Sequence, residues 1–219
     1  MALFYQHNIN EKTKIGVWHI EETESFFLSA VSLQREIMHP HKRLQHLAGR
    51  FLLPFLFPGF PNELIAIADT RKPFLQNEAY HFSISHCGDF AAVMVSKTQR
   101  VGIDIEMVTP KVEKIKHKFL NTEELLLLNR QEAIGNEQLA IGKSELTDNQ
   151  INKLTLLWSC KEAIFKWDGA GGIDFKKDIH LKSIDPEKQL IDCDFTKHKK
   201  VALQVHYLYF EKMCMAWTY

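Results

Sequence analysis

Two acidic residues interrupt an otherwise apolar run at GIDIE, residues 102–106. Because side chains alternate along a β-strand, Gly102, Asp104 and Glu106 would share one face of it. Two carboxylates one pleat apart can hold a single hard cation such as Mg²⁺, and Gly102 would leave room for a ligand beside them. An amphipathic strand that turns its polar face to water would show the same alternation, so both interpretations stay open.

A second acidic and basic set lies in LTLLWSCKEAIFKW, residues 154–167. Its apolar residues surround nearly the whole helix, which predicts burial. Glu162 and Lys166 therefore have little solvent-facing arc, and they are i,i+4 neighbours. They could present a metal ligand or base and a phosphate clamp to a cleft. An ordinary surface ion pair is the alternative.

A third set lies in FSISHCGDFAAV, residues 82–93, where a strand enters a glycine turn. The hydroxyls of Ser83 and Ser85, the His86 imidazole and exposed backbone N–H groups could cradle a phosphate. A structural histidine is the alternative interpretation. A serine hydrolase is disfavoured, because no G-x-S-x-G motif surrounds these residues.

Basic residues form a fourth set, which comprises Lys42, Arg43, Arg50, Arg71 and Lys72. Arg43 and Arg50 are seven residues apart and would share one face of a helix. Taken alone, they describe a solvated helix face. Combined with an acidic metal site in one protein, these cations favour a polyphosphate ligand.

The elements that must position these residues follow from periodicity and from cap and turn signals. Residues 40–57 predict a helix that Pro54 kinks or ends. A strand over 101–108 and a helix over 151–168 would carry the two acidic sets. The other predicted elements are two strands in 1–20, a helix in 21–33, strands in 64–96 with a hairpin turn at HCGD, a helix starting at 121–124, a loop or loosely attached helix over 131–150, and short strands around 179–182, 190–195, 201–209 and 213–218.

Composition bounds the class of protein. The chain has 219 residues, of which 45% are hydrophobic and 25% charged, as in globular proteins. The 27 basic and 27 acidic residues balance, which argues against a general nucleic-acid binder. We expect a cytoplasmic protein with no membrane partner, since there is no signal-peptide pattern and no long apolar run. The cysteines form no CxxC pair and predict reduced thiols: Cys87, Cys160, Cys193 and Cys214.

Three motifs together resemble those of the 4′-phosphopantetheinyl transferases, in particular the larger, two-lobed monomeric type. They are F-S-I-S-H-x-G, then GIDIE, and about 55 residues later W-S-x-K-E-A-x-x-K, and the resemblance covers roughly residues 40–170. It implies an α+β fold of two similar lobes related by pseudo-twofold symmetry, with coenzyme A between them. Each half of the chain has strands and a long helix, so we place the lobes at 1–100 and 101–219.

The resemblance also implies an activity. The enzyme would transfer the 4′-phosphopantetheine group of coenzyme A to a serine of an apo carrier protein, with Mg²⁺, and release adenosine 3′,5′-bisphosphate. This is the reaction of a holo-carrier-protein synthase, and a monomer is expected. Which carrier protein and which pathway the enzyme serves stay open.

Residue roles carry over from the family's motifs. Asp104, Glu106 and Glu162 match its Mg²⁺ ligands. Glu162 is also the expected base for the incoming serine. Lys166 matches the lysine that neutralises charge on the transferring phosphate. These positions make Glu162 and Lys166 the expected catalytic residues.

The expected coenzyme A contacts are less uniform. His86, with Ser85 beside it, matches the histidine that contacts a coenzyme A phosphate. Lys72 matches a lysine beside the adenosine end, although Arg71 stands where the family usually has glycine. For the 3′-phosphate, Arg43 is the first choice and Arg50 the reserve.

Two other functions and one surface stay open at this stage. A coenzyme A or nucleotide-binding protein without transfer activity would not need Glu162. An Mg²⁺-dependent hydrolase of nucleotide diphosphates could use the same acids, but it would need no surface for a carrier protein. Such a surface is predicted in KVEKIKHKFL, which could dock an acidic helix or simply face solvent through Lys111, Lys114, Lys116 and Lys118.

Overall fold

The computed structural model describes residues 3–33, 36–129 and 147–219. Most of the predicted polar segment 131–150 lies outside these residues. Eight α-helices and β-strands in the described part precede residue 100: β1 (Leu3–Asn10), β2 (Thr13–His19), α1 (Glu24–Leu28), α2 (Pro40–Leu56), β3 (Ile65–Ile67), β4 (Pro73–Leu75), β5 (His81–Cys87) and β6 (Phe90–Ser96). The α-helices and β-strands that follow are β7 (Gly102–Met107), α3 (Lys116–Phe119), α4 (Thr122–Asn129), α5 (Asp148–Asp168), β8 (Ile179–Asp185), β9 (Leu190–Phe195), β10 (Val201–Phe210) and β11 (Met213–Thr218).

The first sheet has the antiparallel order β1-β2-β6-β5, and α2 packs on one of its faces. Gly16 of β2 lies beside the ends of the Leu52 and Leu56 side chains of α2. Gly49 of α2 similarly lies against the Ile84 side chain of β5. These two glycines bring the helix close to the sheet. The small pair β3 and β4 leads back into this sheet.

The second sheet has the antiparallel order β7-β11-β10-β9-β8, and α5 packs across it. α5 begins with a capping box between Thr147 and Gln150, which satisfies backbone N–H groups of its first turn. It ends at Gly169, whose φ of 69° is the left-handed C-cap conformation that glycine tolerates best. The helix carries most of the apolar girdle into the core, as the sequence predicts.

The two sheets also bury side chains against each other. Ile15 and Met94 of the first sheet belong to the same buried cluster as Ile103 and Met215 of the second. The predicted boundary between residues 100 and 101 falls in the connection from β6 to β7. The α+β architecture is confirmed, whereas the pseudo-twofold relation between lobes stays a prediction. No helix in the described ranges is long and apolar enough to cross a membrane.

One predicted helix is shorter in the structure. Within 21–33 only α1 is helical, and bends and turns flank it on both sides. The helix predicted over 40–57 is confirmed as α2, which continues past Pro54 to Leu56. Proline lacks the N–H that would bond to the Arg50 carbonyl four residues back. The Asn62 side-chain amide donates to that carbonyl instead, at 3.1 Å.

A buried ammonium fixes the position of α5. Lys161 is fully buried, and its Nζ lies 2.7 Å from the Glu124 carboxylate of α4. It is also within hydrogen-bonding distance of the carbonyl oxygens of Phe119, Phe175 and Ile179. Burial lowers the pKa of Lys161, and Glu124 opposes that shift. Four segments of the second half therefore meet at the residue that precedes Glu162.

Gly102 is required by the helix, not by a ligand. A Cβ atom at Gly102 would lie 1.9 Å from the Ala163 carbonyl oxygen and 2.7 Å from the Trp167 backbone nitrogen. The expectation that Gly102 leaves room for a ligand is therefore wrong, because the backbone of α5 takes that room. The close approach brings α5 to the acidic face of β7.

We expect Gly102→Ala to cost several times more unfolding free energy than Gly16→Ala. The Gly102 substitution must push a helix backbone away, and overpacking in a core typically costs about 1–3 kcal/mol. At Gly16 the new methyl group meets only the flexible ends of Leu56 and Leu52, at 3.1 and 3.2 Å respectively. Urea unfolding of both variants measures the difference. Equal costs would contradict the close contact of β7 with α5.

Candidate functional site

The acidic face of β7 and one side of α5 meet at a single cluster. The Lys166 Nζ of α5 lies 2.7 Å from Oδ1 of Asp104 on β7. Two residues farther along β7, Glu106 accepts a hydrogen bond of 3.1 Å from the Trp158 indole of α5. Glu162 is half-buried on the same helix. Asp104 is only 2% exposed, so the centre of the cluster is shielded from water.

Lys166 pairs across the fold rather than along its helix. Among the ion pairs of the described residues, none joins Glu162 to Lys166, and the partner of Lys166 is Asp104, 62 residues earlier. The interpretation of Glu162 and Lys166 as a surface i,i+4 pair does not describe this helix. Both side chains are instead held at the junction with β7.

Two carboxylates of the cluster, Glu106 and Glu162, have raised pKa values. Burial raises the pKa of Glu162 to about 7, and the charges of Asp104 and Glu106 add to the rise while Lys166 opposes it. Burial also raises the pKa of Glu106, with Asp104 adding to it and the Trp158 hydrogen bond opposing it. One ammonium therefore balances this negative field only in part.

The cluster fits a divalent cation. Oδ2 of Asp104 is buried and has no hydrogen-bond donor among the described residues. A hard cation with oxygen ligands would satisfy that atom and the mutual repulsion of the acids. In the described ranges no three potential ligand side chains converge closely enough to hold a metal as they stand. Oδ1 of Asp104 binds the Lys166 ammonium, so a cation on Oδ2 would share this carboxylate with Lys166.

Ser85 and His86 are neighbours on β5, and their side chains lie on opposite faces of the strand. The Ser85 hydroxyl donates to Oδ1 of Asp104 at 2.9 Å and accepts from the Lys166 Nζ at 2.8 Å. His86 points the other way along the alternating strand and is exposed. Ser85 thus joins the acidic cluster, while His86 faces a neighbouring cavity.

That neighbouring cavity has a volume of about 300 Å³ and is bounded by basic and apolar side chains. Arg50, His46 and His86 line it, together with Arg71. Arg50 is 5% exposed, so its guanidinium is presented from inside the fold. The lining could hold a phosphate through cations and imidazoles, with aliphatic walls for a neighbouring group.

Arg43, the first choice for the 3′-phosphate, lies elsewhere. Its Nε is 2.8 Å from the Glu24 carboxylate, and its Nη1 donates to the Ile37 carbonyl oxygen at 2.9 Å. Of the two arginines, the structure brings Arg50 to the cavity with His86, and Arg43 to α1. Because the two arginines are seven residues apart and would share one helix face, their spacing could not show which of them reaches the cavity.

Lys72 lies between the cavity and the end of α5. Its Nζ donates to the Lys166 carbonyl oxygen. Burial lowers the pKa of Lys72 to about 8, and Arg100 adds to the shift while Asp168 opposes it. A smaller cavity of about 200 Å³ runs beside Lys72 to Lys166 and shares Arg71 with the first. The two cavities lie side by side, and their linings extend from Arg50 to Lys166.

Sequence reasoning missed two residues of this site. Trp158 positions Glu106, and it precedes Glu162 by four residues on the same helix. His46 lines the cavity with Arg50, again four residues away on one helix. The i,i+4 spacing could have found both, because such residues share a helix face.

The predicted basic segment KVEKIKHKFL follows β7 closely in the structure. It forms a short 3-10 helix, Pro110–Ile115, followed by α3. Lys111, Lys114 and Lys118 are exposed, whereas Lys116 pairs with Glu113 at 3.3 Å. The segment therefore presents positive charge next to the strand that carries Asp104.

The chain is similar in sequence to proteins of a known family. Residues 100–218, which include β7 and α5, match the family described as the 4′-phosphopantetheinyl transferase superfamily. The chain is 30% identical over 126 residues to enterobactin synthase component D of Escherichia coli, an alignment that covers 57% of this chain and 54% of that protein. It is 27% identical over 162 residues to the 4′-phosphopantetheinyl transferase HetI of a Nostoc species, covering 68% of this chain and 62% of that protein.

A third relative is the 4′-phosphopantetheinyl transferase AcpT of Salmonella typhi, which is 26% identical over 133 residues. That alignment covers 58% of this chain and 60% of AcpT. The chain thus spans between 54% and 62% of the length of these three relatives. Since the family match extends over more than half of the chain, the chain belongs to the 4′-phosphopantetheinyl transferase superfamily.

Proposed function

We propose that this chain transfers the 4′-phosphopantetheine group of coenzyme A to a serine of an apo carrier protein, as a holo-carrier-protein synthase that depends on Mg²⁺. The observation that carries the proposal is the cluster of Asp104, Glu106, Glu162 and Lys166 at the end of a cation-lined cavity. Phosphoryl transfer needs charge neutralisation and alignment more than covalent help from the protein. This cluster offers both.

The residues take distinct roles in the proposed reaction. Asp104, Glu106 and Glu162 would hold the cation, which when bound neutralises charge on the pyrophosphate. Glu162, whose pKa is about 7, is suited to take the proton of the attacking serine near neutral pH. The serine oxygen bonds to phosphorus as the bond to the departing adenosine 3′,5′-bisphosphate breaks. Lys166 stabilises the negative charge that develops on the phosphates.

The nucleotide end of coenzyme A would occupy the cavity. Arg50 and His86, with His46, would meet the 3′-phosphate, and Lys72 would lie beside the adenosine. Ser85 would contribute less to coenzyme A than expected from the motif, because its hydroxyl already serves Asp104 and Lys166.

We expect Arg50→Met to reduce the preference for coenzyme A over dephospho-coenzyme A by roughly tenfold to a hundredfold. A hydrogen bond to a charged group is worth about 1.5–3 kcal/mol, and only coenzyme A has the 3′-phosphate. His86→Ala should act in the same direction. Arg43→Met is the matched control, since Arg43 is held by Glu24. Calorimetric titration with both ligands measures the preference, and an effect at Arg43 but not at Arg50 would reverse the assignment.

The carrier protein would approach the second half of the chain. Lys111, Lys114 and Lys118 present positive charge beside β7 and suit an acidic carrier helix. Such complementarity raises association rates more than affinity. The position also leads the carrier serine toward Glu162.

The organisation of the chain is part of the proposal. We propose two lobes, residues 1–100 and 101–219, related by pseudo-twofold symmetry, with coenzyme A between them. The buried cluster that both sheets share would fix their relative position. We propose further that the enzyme acts as a cytoplasmic monomer without nucleic-acid or membrane partners.

The test is incubation of the protein with coenzyme A, Mg²⁺ and a generic apo carrier protein, followed by intact mass measurement. The proposal predicts a carrier whose mass has increased by one phosphopantetheine group, and no increase when a chelator replaces Mg²⁺. Cleavage of coenzyme A with an unmodified carrier would identify a nucleotide hydrolase. Tight coenzyme A binding without either reaction would identify a binding protein.

A further inference from the structure

The N–H groups on the free side of β7 have unusual partners. β7 is an edge strand of the second sheet and pairs only with β11 in the described part of the chain. In an antiparallel pair, alternate residues turn their N–H groups away from the partner strand. Ile103 and Ile105 are the residues that do so here, and both are buried. Buried N–H groups need acceptors, so something must take the place of another strand.

Two serines of β5 supply these acceptors. The Ser83 hydroxyl accepts from the Ile103 N–H at 3.1 Å, and the Ser85 hydroxyl accepts from the Ile105 N–H at 3.3 Å. The serines are two residues apart and therefore share a face of β5. Their side chains are buried, and within the described ranges no backbone ladder joins β5 to β7. Serine hydroxyls thus connect the two sheets where they meet.

The two hydroxyls are not equivalent. Ser85 uses its full hydrogen-bonding capacity, because it donates to Asp104 and accepts from both Lys166 and the Ile105 N–H. The hydrogen bond of Ser83 goes to the backbone of β7, on the other side of Asp104. Asp104 therefore stands between two residues whose backbones are tied to β5.

We infer that Ser83 is a positioning residue, which together with Ser85 holds β7 against β5 and so fixes the Asp104 carboxylate beside Lys166. Ser83 acts through the backbone of Ile103 and does not itself contact the reacting groups. The inference rests on the proposed function for its effect on rate. Its structural part, the hydrogen bond to Ile103, can be tested without any activity.

The experiment compares Ser83→Ala with a matched control, Ser96→Ala. Ser96 is fully buried in the same sheet. Its hydroxyl lies 2.9 Å from the hydroxyl of Thr13 on β2, whereas the Ser83 hydroxyl bonds to β7. Amide exchange of Ile103 is followed by NMR, and transfer is assayed with varied coenzyme A. Ser83→Ala should speed Ile103 exchange and lower kcat roughly tenfold to a hundredfold, as expected when a reacting group is misplaced by about an ångström. Ser83 lines the smaller cavity beside Lys72 and Lys166 but not the cavity that holds Arg50, His46 and His86. Because the residues proposed for the nucleotide end are unchanged, the KM for coenzyme A should stay within about twofold of wild type.

Ser96→Ala should leave both Ile103 exchange and kcat near wild-type values. The inference is overturned if Ser83→Ala and Ser96→Ala behave alike, or if the Ile103 amide of the wild-type protein exchanges as fast as an exposed one. The second outcome applies even if Ser83→Ala fails to fold. Absence of transfer by the wild-type protein would count against the proposed function alone, because the exchange measurement would still decide the role of Ser83.

Discussion

Glu162→Gln should lower the rate of phosphopantetheine transfer by at least the roughly 10²-fold that loss of a general base costs. The amide keeps the size of the carboxylate but can neither take a proton nor carry charge to a cation. Burial raises the pKa of Glu162 to about 7, and the charges of Asp104 and Glu106 add to the rise. A group at that pKa exchanges protons readily near neutral pH.

Stability should move in the opposite direction from activity. Because the pKa of Glu162 is raised above its ordinary value of 4.5, ionisation of this group costs folding free energy as pH rises from 4.5 through about 7. Without metal, Glu162→Gln should therefore melt no lower than wild type above pH 7. Melting curves beside the transfer assay separate the two effects.

The matched control is Glu22→Gln. Glu22 accepts a hydrogen bond of 2.9 Å from the Trp18 indole, much as Glu106 does from Trp158, but it belongs to the first half of the chain. The Glu22→Gln variant should transfer the phosphopantetheine group at the wild-type rate. Equal rates for the Glu162 and Glu22 variants would reject the catalytic role of Glu162.

Lys166→Met should lower transfer by roughly 10²–10³-fold while coenzyme A still binds, the range seen when one group that stabilises transition-state charge is removed. Methionine keeps much of the aliphatic stem and deletes the charge. The ammonium is anchored by Asp104 at 2.7 Å and Ser85 at 2.8 Å, so it is held at the acidic cluster rather than free in solvent.

The same change breaks an ion pair, and the control must break one too. Lys197 lies 3.3 Å from Asp168, the last residue of α5, and both side chains are largely buried. Lys197→Met should lose stability comparably to Lys166→Met, less than the about 3–5 kcal/mol of a fully buried pair. Only Lys166→Met should lose transfer. Parallel losses of rate in both variants would show that the effect is structural.

Much of the secondary structure could be predicted from local pattern. The alternation in VGIDIEMV and the apolar girdle of LTLLWSCKEAIFKW place Asp104, Glu106, Glu162 and Lys166 on the strand and helix where the structure has them. The hairpin at HCGD joins β5 to β6 as its glycine turn predicts. These signals depend on period and on turn chemistry, which a sequence displays directly.

Contacts between distant segments could not be predicted in the same way. Arg43 and Arg50 are seven residues apart, and this spacing does not show which of them reaches the cavity. In the structure, Glu24 of α1 binds Arg43, which turns away from the cavity. Gly102 suggested space for a ligand, but α5 fills it. Pro54 left open whether the helix kinks or ends there, and Asn62 supplies the hydrogen bond that proline cannot donate. In each case the deciding partner is remote in sequence.

The proposed function requires the cluster of Asp104, Glu106, Glu162 and Lys166 to promote transfer of phosphopantetheine from coenzyme A to a serine of the carrier protein. The most direct measurement counts both products of one reaction: holo carrier by intact mass, with the modified residue located by fragmentation, and adenosine 3′,5′-bisphosphate by chromatography. With wild-type protein we expect equal amounts of the two products and modification of one serine. With Glu162→Gln we expect neither product on the same timescale. Release of the bisphosphate without modified serine, or modification that survives Glu162→Gln unchanged, would contradict the proposed function.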